Sequence, residues 1–125
     1  MILDTNALSA FFEGDAALRP VLHRTTRLFL PVVVLGEFRF GLLHSRKRRL
    51  IEPALDALEA ATTVLPIDAD TVRPYAEIRD RLKRAGTPIP SNDMWIAALA
   101  VQHALLVVSR DAHFDCVRGL TRISW

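Results

Sequence analysis

The chain has 125 residues, of which half are hydrophobic and 24% charged, with a formal net charge of +2 at pH 7. That is the usual size and composition of one soluble globular domain, able to bury a core without metal or disulfide staples. The lone cysteine, Cys116, excludes an intrachain disulfide, and no basic leader or long apolar run opens the chain, so neither a secretory signal nor a membrane span is expected and a cytoplasmic setting is.

Ile2-Leu3 reads as the start of a strand. Ala7 to Phe12 reads as one or two helical turns ending near Gly14, and Asp15 can cap a second helix to about Arg24. Leu28-Phe29-Leu30 is a short strand closed by Pro31. Val33 to His44 is helical, with Val34, Leu35, Phe38, Gly41 and Leu42 along one stripe. Arg46-Lys47-Arg48-Arg49 follows, a run of four cations, and Pro53 then sits early in a helix that extends to about Ala60.

Val64 to Ile67 is a strand, short or at an edge because Pro66 removes a donor. A long amphipathic helix runs to Arg84 and is stopped by Gly86 and Pro88. Pro74 fits it only within the first turn, with Asp70 near the N-cap. Asp93 to His103 is a helix with almost no polar side, whose Ala97, Ala98 and Ala100 let it lie close to a sheet. His103 on this helix reads as a hydrogen-bonded core residue. Leu105 to Val108 is a buried strand, and Arg122-Ile123-Ser124 a last short one. Alternating strands and helices predict a central parallel sheet in a three-layer α/β/α sandwich.

Four acids stand out against that frame. Parallel sheets collect function beyond the carboxyl ends of their strands. Asp4 directly follows the first strand, and Asp111 follows the strand ending at Val108. Asp93 opens the helix that feeds that strand, where the helix dipole favours a carboxylate. Glu37 lies just off the edge of the stripe of Val34, Phe38 and Gly41, and a glutamate beside a buried stripe needs a partner or a metal. Each has a plainer reading: Asp4 as a helix cap, Asp93 as a first-turn residue, Asp111 as a turn former, Glu37 as a surface residue.

Taken together, four carboxylates in one pocket repel each other unless a cation joins them. Oxygen-only ligands select hard ions, so Mg²⁺ is expected, with Mn²⁺ as a substitute. Such an ion can activate water, polarise a phosphoryl group and stabilise a leaving oxygen. The basic run at 46–49 and the cluster of Arg79, Arg81, Lys83 and Arg84 suit a phosphate backbone, although part of the second cluster pairs with Glu77 and Asp80 at helical spacing.

These segments resemble the PIN-domain nucleases. Met1-Ile2-Leu3-Asp4-Thr5-Asn6 looks like their opening, and Val34-Leu35-Gly36-Glu37 with Gly41 like their second acidic element. Gly86 to Asp93 followed by Ile96-Ala97-Ala98 is similar to the third, and Leu106 to Phe114 to the fourth. Gly119-Leu120 and Trp125 resemble the usual ending, so the likeness spans essentially the whole chain. It is strongest to the VapC-type toxins of toxin–antitoxin pairs. The resemblance implies a Mg²⁺-dependent endoribonuclease that cleaves structured RNA, commonly tRNA or an rRNA loop. It also implies a homodimer and a VapB-like antitoxin partner. The family's metal-site carboxylates map onto Asp4, Glu37, Asp93 and Asp111. Ser109 stands where threonine is common in the family and keeps a hydroxyl there. Asp115 is either an outer acid or a turn residue, and Asn6 either orients Asp4 or caps a helix.

Two other classes compete with this reading. A phosphatase of the haloacid dehalogenase type needs a second aspartate two residues after the first, where this chain has Asn6. A non-catalytic PIN-like binding module for RNA or protein does not require the full acidic set. A zinc site is not expected, because no pair among His23, His44, His103 and His113 has ligand spacing.

Overall fold

The structure is a computed structural model that describes residues 1–25 and 27–125. Five strands form one parallel sheet: β1 (Ile2–Leu3), β2 (Phe29–Pro31), β3 (Thr63–Leu65), β4 (Val107–Val108) and β5 (Arg122–Ile123). Their order is β3-β2-β1-β4-β5. The chain therefore builds outward from β1 in one direction and then returns to build in the other. The crevice between β1 and β4 is the topological switch point of the sheet.

Among the described residues six helices flank the sheet, giving the three-layer α/β/α arrangement: α1 (Thr5–Glu13), α2 (Arg19–Leu22), α3 (Val32–Leu43), α4 (Arg48–Ala61), α5 (Ala69–Arg84) and α6 (Ser91–Gln102). A 3-10 helix, Ala112–Cys116, follows β4. The central strands β1, β2 and β4 are the buried ones, while β3 and β5 at the edges are largely half-buried or exposed. Ile2, Leu3, Leu30, Val107 and Val108 are fully buried, and Leu8, Val34, Ile96, Leu99 and Phe114 close over them. Ala97, Ala98 and Ala100 are all buried, so the small residues of α6 do bring that helix close to its neighbours.

Several local expectations change. Asp15 does form a cap-like bond, accepting from the Ala17 N–H, but the helix after it covers only Arg19–Leu22. Gly41, expected on the buried stripe of α3, is exposed, while Val34, Leu35 and Leu42 are buried. His103 is not in the core; it is the exposed C-cap residue of α6. Pro53 lies early in α4, as its sixth residue, and Pro74 is the sixth residue of α5 rather than a first-turn residue. In α5 the start is set by a capping box, in which Asp68 and Thr71 exchange side-chain and backbone bonds. The carbonyls that the two prolines leave without helical donors belong to Arg49 and Asp70, both exposed, so water can satisfy them.

Candidate active site

Asp4 leaves β1 and caps α1. Its Oδ1 accepts the Thr5 N–H at 2.6 Å, and its Oδ2 accepts from Asn6 Nδ2 at 2.8 Å and from Ser109 Oγ at 2.7 Å. Its own N–H donates to the Val108 carbonyl, so the ends of β1 and β4 are tied at this point. Asp4 is only 4% exposed. Burial pushes its carboxyl up to about 6, against the opposing pull of the Ser109 and Thr5 bonds; the nearby charges of Asp93 and Glu37 raise it further. The cap reading and the cluster reading of Asp4 are thus both realised in one side chain.

Glu37 extends from α3 toward the same point. Its Oε2 accepts from Thr5 Oγ1 at 2.5 Å and its Oε1 from Asn92 Nδ2 at 2.6 Å. Both carboxylate oxygens are therefore oriented, one by the helix after β1 and one by the N-terminus of α6. Asp93 is the third residue of α6, in its first turn. Burial raises the Asp93 carboxyl above the usual range, and the neighbouring Asp111 and Glu37 charges add to this, while His113 works against it. Asp111 caps the 3-10 helix through a bond from the His113 N–H at 2.9 Å. His113 Nδ1 lies 3.2 Å from Asp93 Oδ2 and 3.0 Å from Asp111 Oδ1, between the two carboxylates.

All four acids singled out from the sequence, Asp4, Glu37, Asp93 and Asp111, line one open cleft of about 900 Å³ together with Thr5, Asn6 and Asn92. Asp115 does not. It makes a two-pronged pair with Arg122, at 2.8 and 2.7 Å, and lies outside the cleft. Asn6 belongs to the cluster and also accepts the Arg110 N–H at 3.1 Å. Ser109 is fully buried; its hydroxyl donates to Asp4 and accepts from Asn6 and from the Asp111 N–H. Thr5 and Asn92 were not anticipated as site residues. Their only sequence signal is adjacency, Thr5 to Asp4 and Asn92 to Asp93.

The donor set can be tested against a hard divalent cation. Its four acids offer carboxylate oxygens, and two of them are held above their ordinary pKa by burial and by mutual repulsion, which a cation would relieve. One ligand atom each from Asp93, Asp111 and His113 lie within 4.8 Å of one another. Asp4 and Glu37 are oriented by neighbouring donors as metal-ligating carboxylates usually are. The residues fit such an ion.

Comparison with known proteins agrees with this picture. The PIN domain family model matches residues 1–120. Among curated proteins, the chain is 34% identical to Ribonuclease VapC5 of Mycobacterium tuberculosis, over 98% of this chain and 90% of the relative. It is 36% identical to VapC ribonuclease Y4jK of Sinorhizobium fredii, over 89% and 86% of the two chains. Among solved structures, FitAcB from Neisseria gonorrhoeae superposes with a TM-score of 0.86 at 27% identity, covering 98% of this chain and 95% of that one. VapBC-5 from Mycobacterium tuberculosis gives 0.71 at 30% identity, covering 98% and 94%. With the family model spanning nearly its whole length and VapC ribonucleases as relatives over most of theirs, the chain belongs to the PIN-domain family, in its VapC group.

Proposed function

We propose that this protein is a Mg²⁺-dependent endoribonuclease, the toxin of a type II toxin–antitoxin pair, and that it cleaves structured RNA such as tRNA or rRNA. The observation that carries the reading is the convergence of Asp4, Glu37, Asp93 and Asp111 on one cleft at the switch point of the sheet. The names of its relatives, VapC ribonucleases, support the class of reaction.

In this reading Asp4 and Asp93 are the main holders of the cation, with Glu37 and Asp111 completing the site directly or through water. When bound, Mg²⁺ (or Mn²⁺ in its place) supplies an activated water and charge stabilisation for the phosphoryl oxygens and the leaving oxygen. The chain's own work is positioning. Thr5, Asn6 and Ser109 fix the direction of the Asp4 oxygens, and Thr5 and Asn92 fix those of Glu37. The carboxylates orient a water in line with the scissile P–O bond, and the open cleft admits a phosphodiester from solvent. Arg46 and Lys47, from the basic stretch at 46–49, line the recess beside this cleft and favour an RNA backbone.

Solved VapBC and FitAcB structures among the relatives support a VapB-like antitoxin as the protein partner, and a homodimer completes the proposed assembly. The exposed side chains of Phe40, Leu43 and Leu50 on α3 and α4 are apolar surface of the kind protein partners cover. Among the described residues no helix is long and apolar enough to cross a membrane, and the proposed place of action is the cytoplasm.

The test is cleavage of total RNA by the purified protein with Mg²⁺, with EDTA, and with Asp4→Asn and Asp93→Asn. Cleavage should need both the cation and both carboxylates, and sequencing of the new RNA ends should identify the target. Cation-independent cleavage, or wild-type rates in folded variants, would overturn the proposal. RNA binding without any cleavage would instead support the non-catalytic module.

A further inference from the structure

The catalytic cleft opens into a second recess of about 530 Å³, bounded by α1, α3 and the start of α4. The two share Thr5, Ser9 and Glu37 in their walls, so the recess begins where the acidic cluster ends. Its chemistry is different. Phe12, Phe38 and Ile51 make an apolar lining, with the two rings stacked at 5.3 Å between centroids. Arg46 and Lys47 stand at its border, the first half of the basic run, and neither forms an ion pair among the described residues. Arg48, the next cation, is instead paired with Glu52.

An apolar lining, a cationic border and an opening onto a phosphodiester-cleaving centre together describe a nucleotide. We propose that the recess is a nucleoside subsite, which takes one unstacked base of the RNA beside the scissile bond while Arg46 and Lys47 hold its phosphate. This rests on the ribonuclease reading above. The volume is within the range of about 300–1,000 Å³ typical of small-molecule pockets. Apolar and aromatic surfaces hold unpaired bases with little regard to sequence, whereas backbone phosphates are held by charge. Glu13, the acid in its wall besides Glu37, offers an acceptor to an exocyclic amino group.

Gly41 makes the idea testable without touching the acidic cluster. It lies in the wall of the recess, and a Cβ built there meets nothing within 4 Å. Gly41→Leu therefore adds a bulky side chain at the wall of the recess without a backbone clash and, in a helix interior, favours the fold. The substrate is a short oligoribonucleotide that wild type cuts at a mapped bond, with an abasic ribose placed in turn on each side of that bond. For wild type, one abasic position should lower kcat/KM about tenfold. Gly41→Leu should cut the intact substrate about tenfold more slowly than wild type and show no further loss on the abasic one. The double variant Arg46→Gln/Lys47→Gln should flatten the dependence of log kcat/KM on log salt by about 0.7, the share of one single-strand phosphate.

Independent, multiplicative losses from the glycine variant and the abasic site would overturn the subsite and leave the ribonuclease reading intact. So would full activity of Gly41→Leu on intact RNA, and weakened antitoxin binding by that variant would then assign the recess to a protein. If wild type cuts no RNA with any divalent cation, both the reading and the subsite fall.

Discussion

Ser109 Oγ donates a 2.7 Å hydrogen bond to Asp4 Oδ2, joining the residue that follows β4 to the residue that follows β1. The same hydroxyl accepts from Asn6 and from the Asp111 N–H, so one buried atom links two of the four acids. The site is therefore held across the switch point of the sheet rather than by either loop alone.

Ser109→Ala should be costly and Ser109→Thr mild. Alanine leaves the Asp111 N–H without its acceptor and removes the bond that does most to hold the Asp4 carboxyl down. A stability loss of about 1–3 kcal/mol follows from a buried polar group left unpaired. The Asp4 carboxyl should also rise above its present value of about 6, so the acid limb of the pH–rate profile moves to higher pH. Urea unfolding and a pH profile check the two effects separately, and threonine should largely restore both.

The Asp4 carboxyl also sets a pH signature without any cation. Its pKa is raised from 3.8 to about 6 by folding, so the folded state binds the proton more tightly than the unfolded chain. Its contribution to stability is therefore full below 3.8, falls as pH rises to about 6, and is level above that. The difference is on the order of 3 kcal/mol. Relative to Asp4→Asn, the wild-type Tm in EDTA should drop across this window. Mg²⁺ should raise the wild-type Tm at neutral pH and leave Asp4→Asn nearly unchanged. Because the ion must displace that proton, half-saturation should need more Mg²⁺ as pH falls below about 6, approaching tenfold per pH unit.

How much of this was legible in the sequence follows from what each feature depends on. Asp4, Asp93 and Asp111 could be placed because strand ends and helix starts show in local patterns, and a parallel sheet brings those points to one edge. Thr5 and Asn92 could not, because their roles consist of reaching Glu37 from two other helices. The apolar neighbours of His103 suggest a core position, but the helix ends at this residue, which is its exposed C-cap. The start of α5 lies earlier than Pro74 alone suggests. Proline marks a first turn only when nothing else decides the start, and at Asp68 the capping box did.

His113 gives the site a nitrogen donor among oxygens. Its Nδ1 is 3.0 Å from Asp111 Oδ1 and 3.2 Å from Asp93 Oδ2, close enough to share an ion with both. Imidazole suits transition metals better than Mg²⁺. Wild type should therefore reach half-maximal activity at lower Mn²⁺ than Mg²⁺, and His113→Ala should narrow that gap mainly by weakening Mn²⁺. Titration of activity with each ion checks it; an unchanged ratio in the variant would show that the ring orients the carboxylates without ligating.

The far end of the chain supports the same loop. Trp125 Nε1 donates to Asp15 Oδ2 at 3.1 Å, and Arg110 Cζ lies 4.5 Å from the centre of the indole ring. Arg110 also pairs with Asp15, and its N–H donates to Asn6. Trp125→Ala removes a hydrogen bond, a cation–π contact and half-buried aromatic area, for a loss of about 2 kcal/mol. Trp125→Phe keeps the ring and should lose about half as much. Since Arg110 precedes Asp111, the alanine variant should also lower Mg²⁺ affinity, by a few-fold, while the phenylalanine variant should not. Urea unfolding together with Mg²⁺ titration separates this from a purely global loss of stability: a variant less stable but unchanged in Mg²⁺ affinity would mean the terminus only braces the fold.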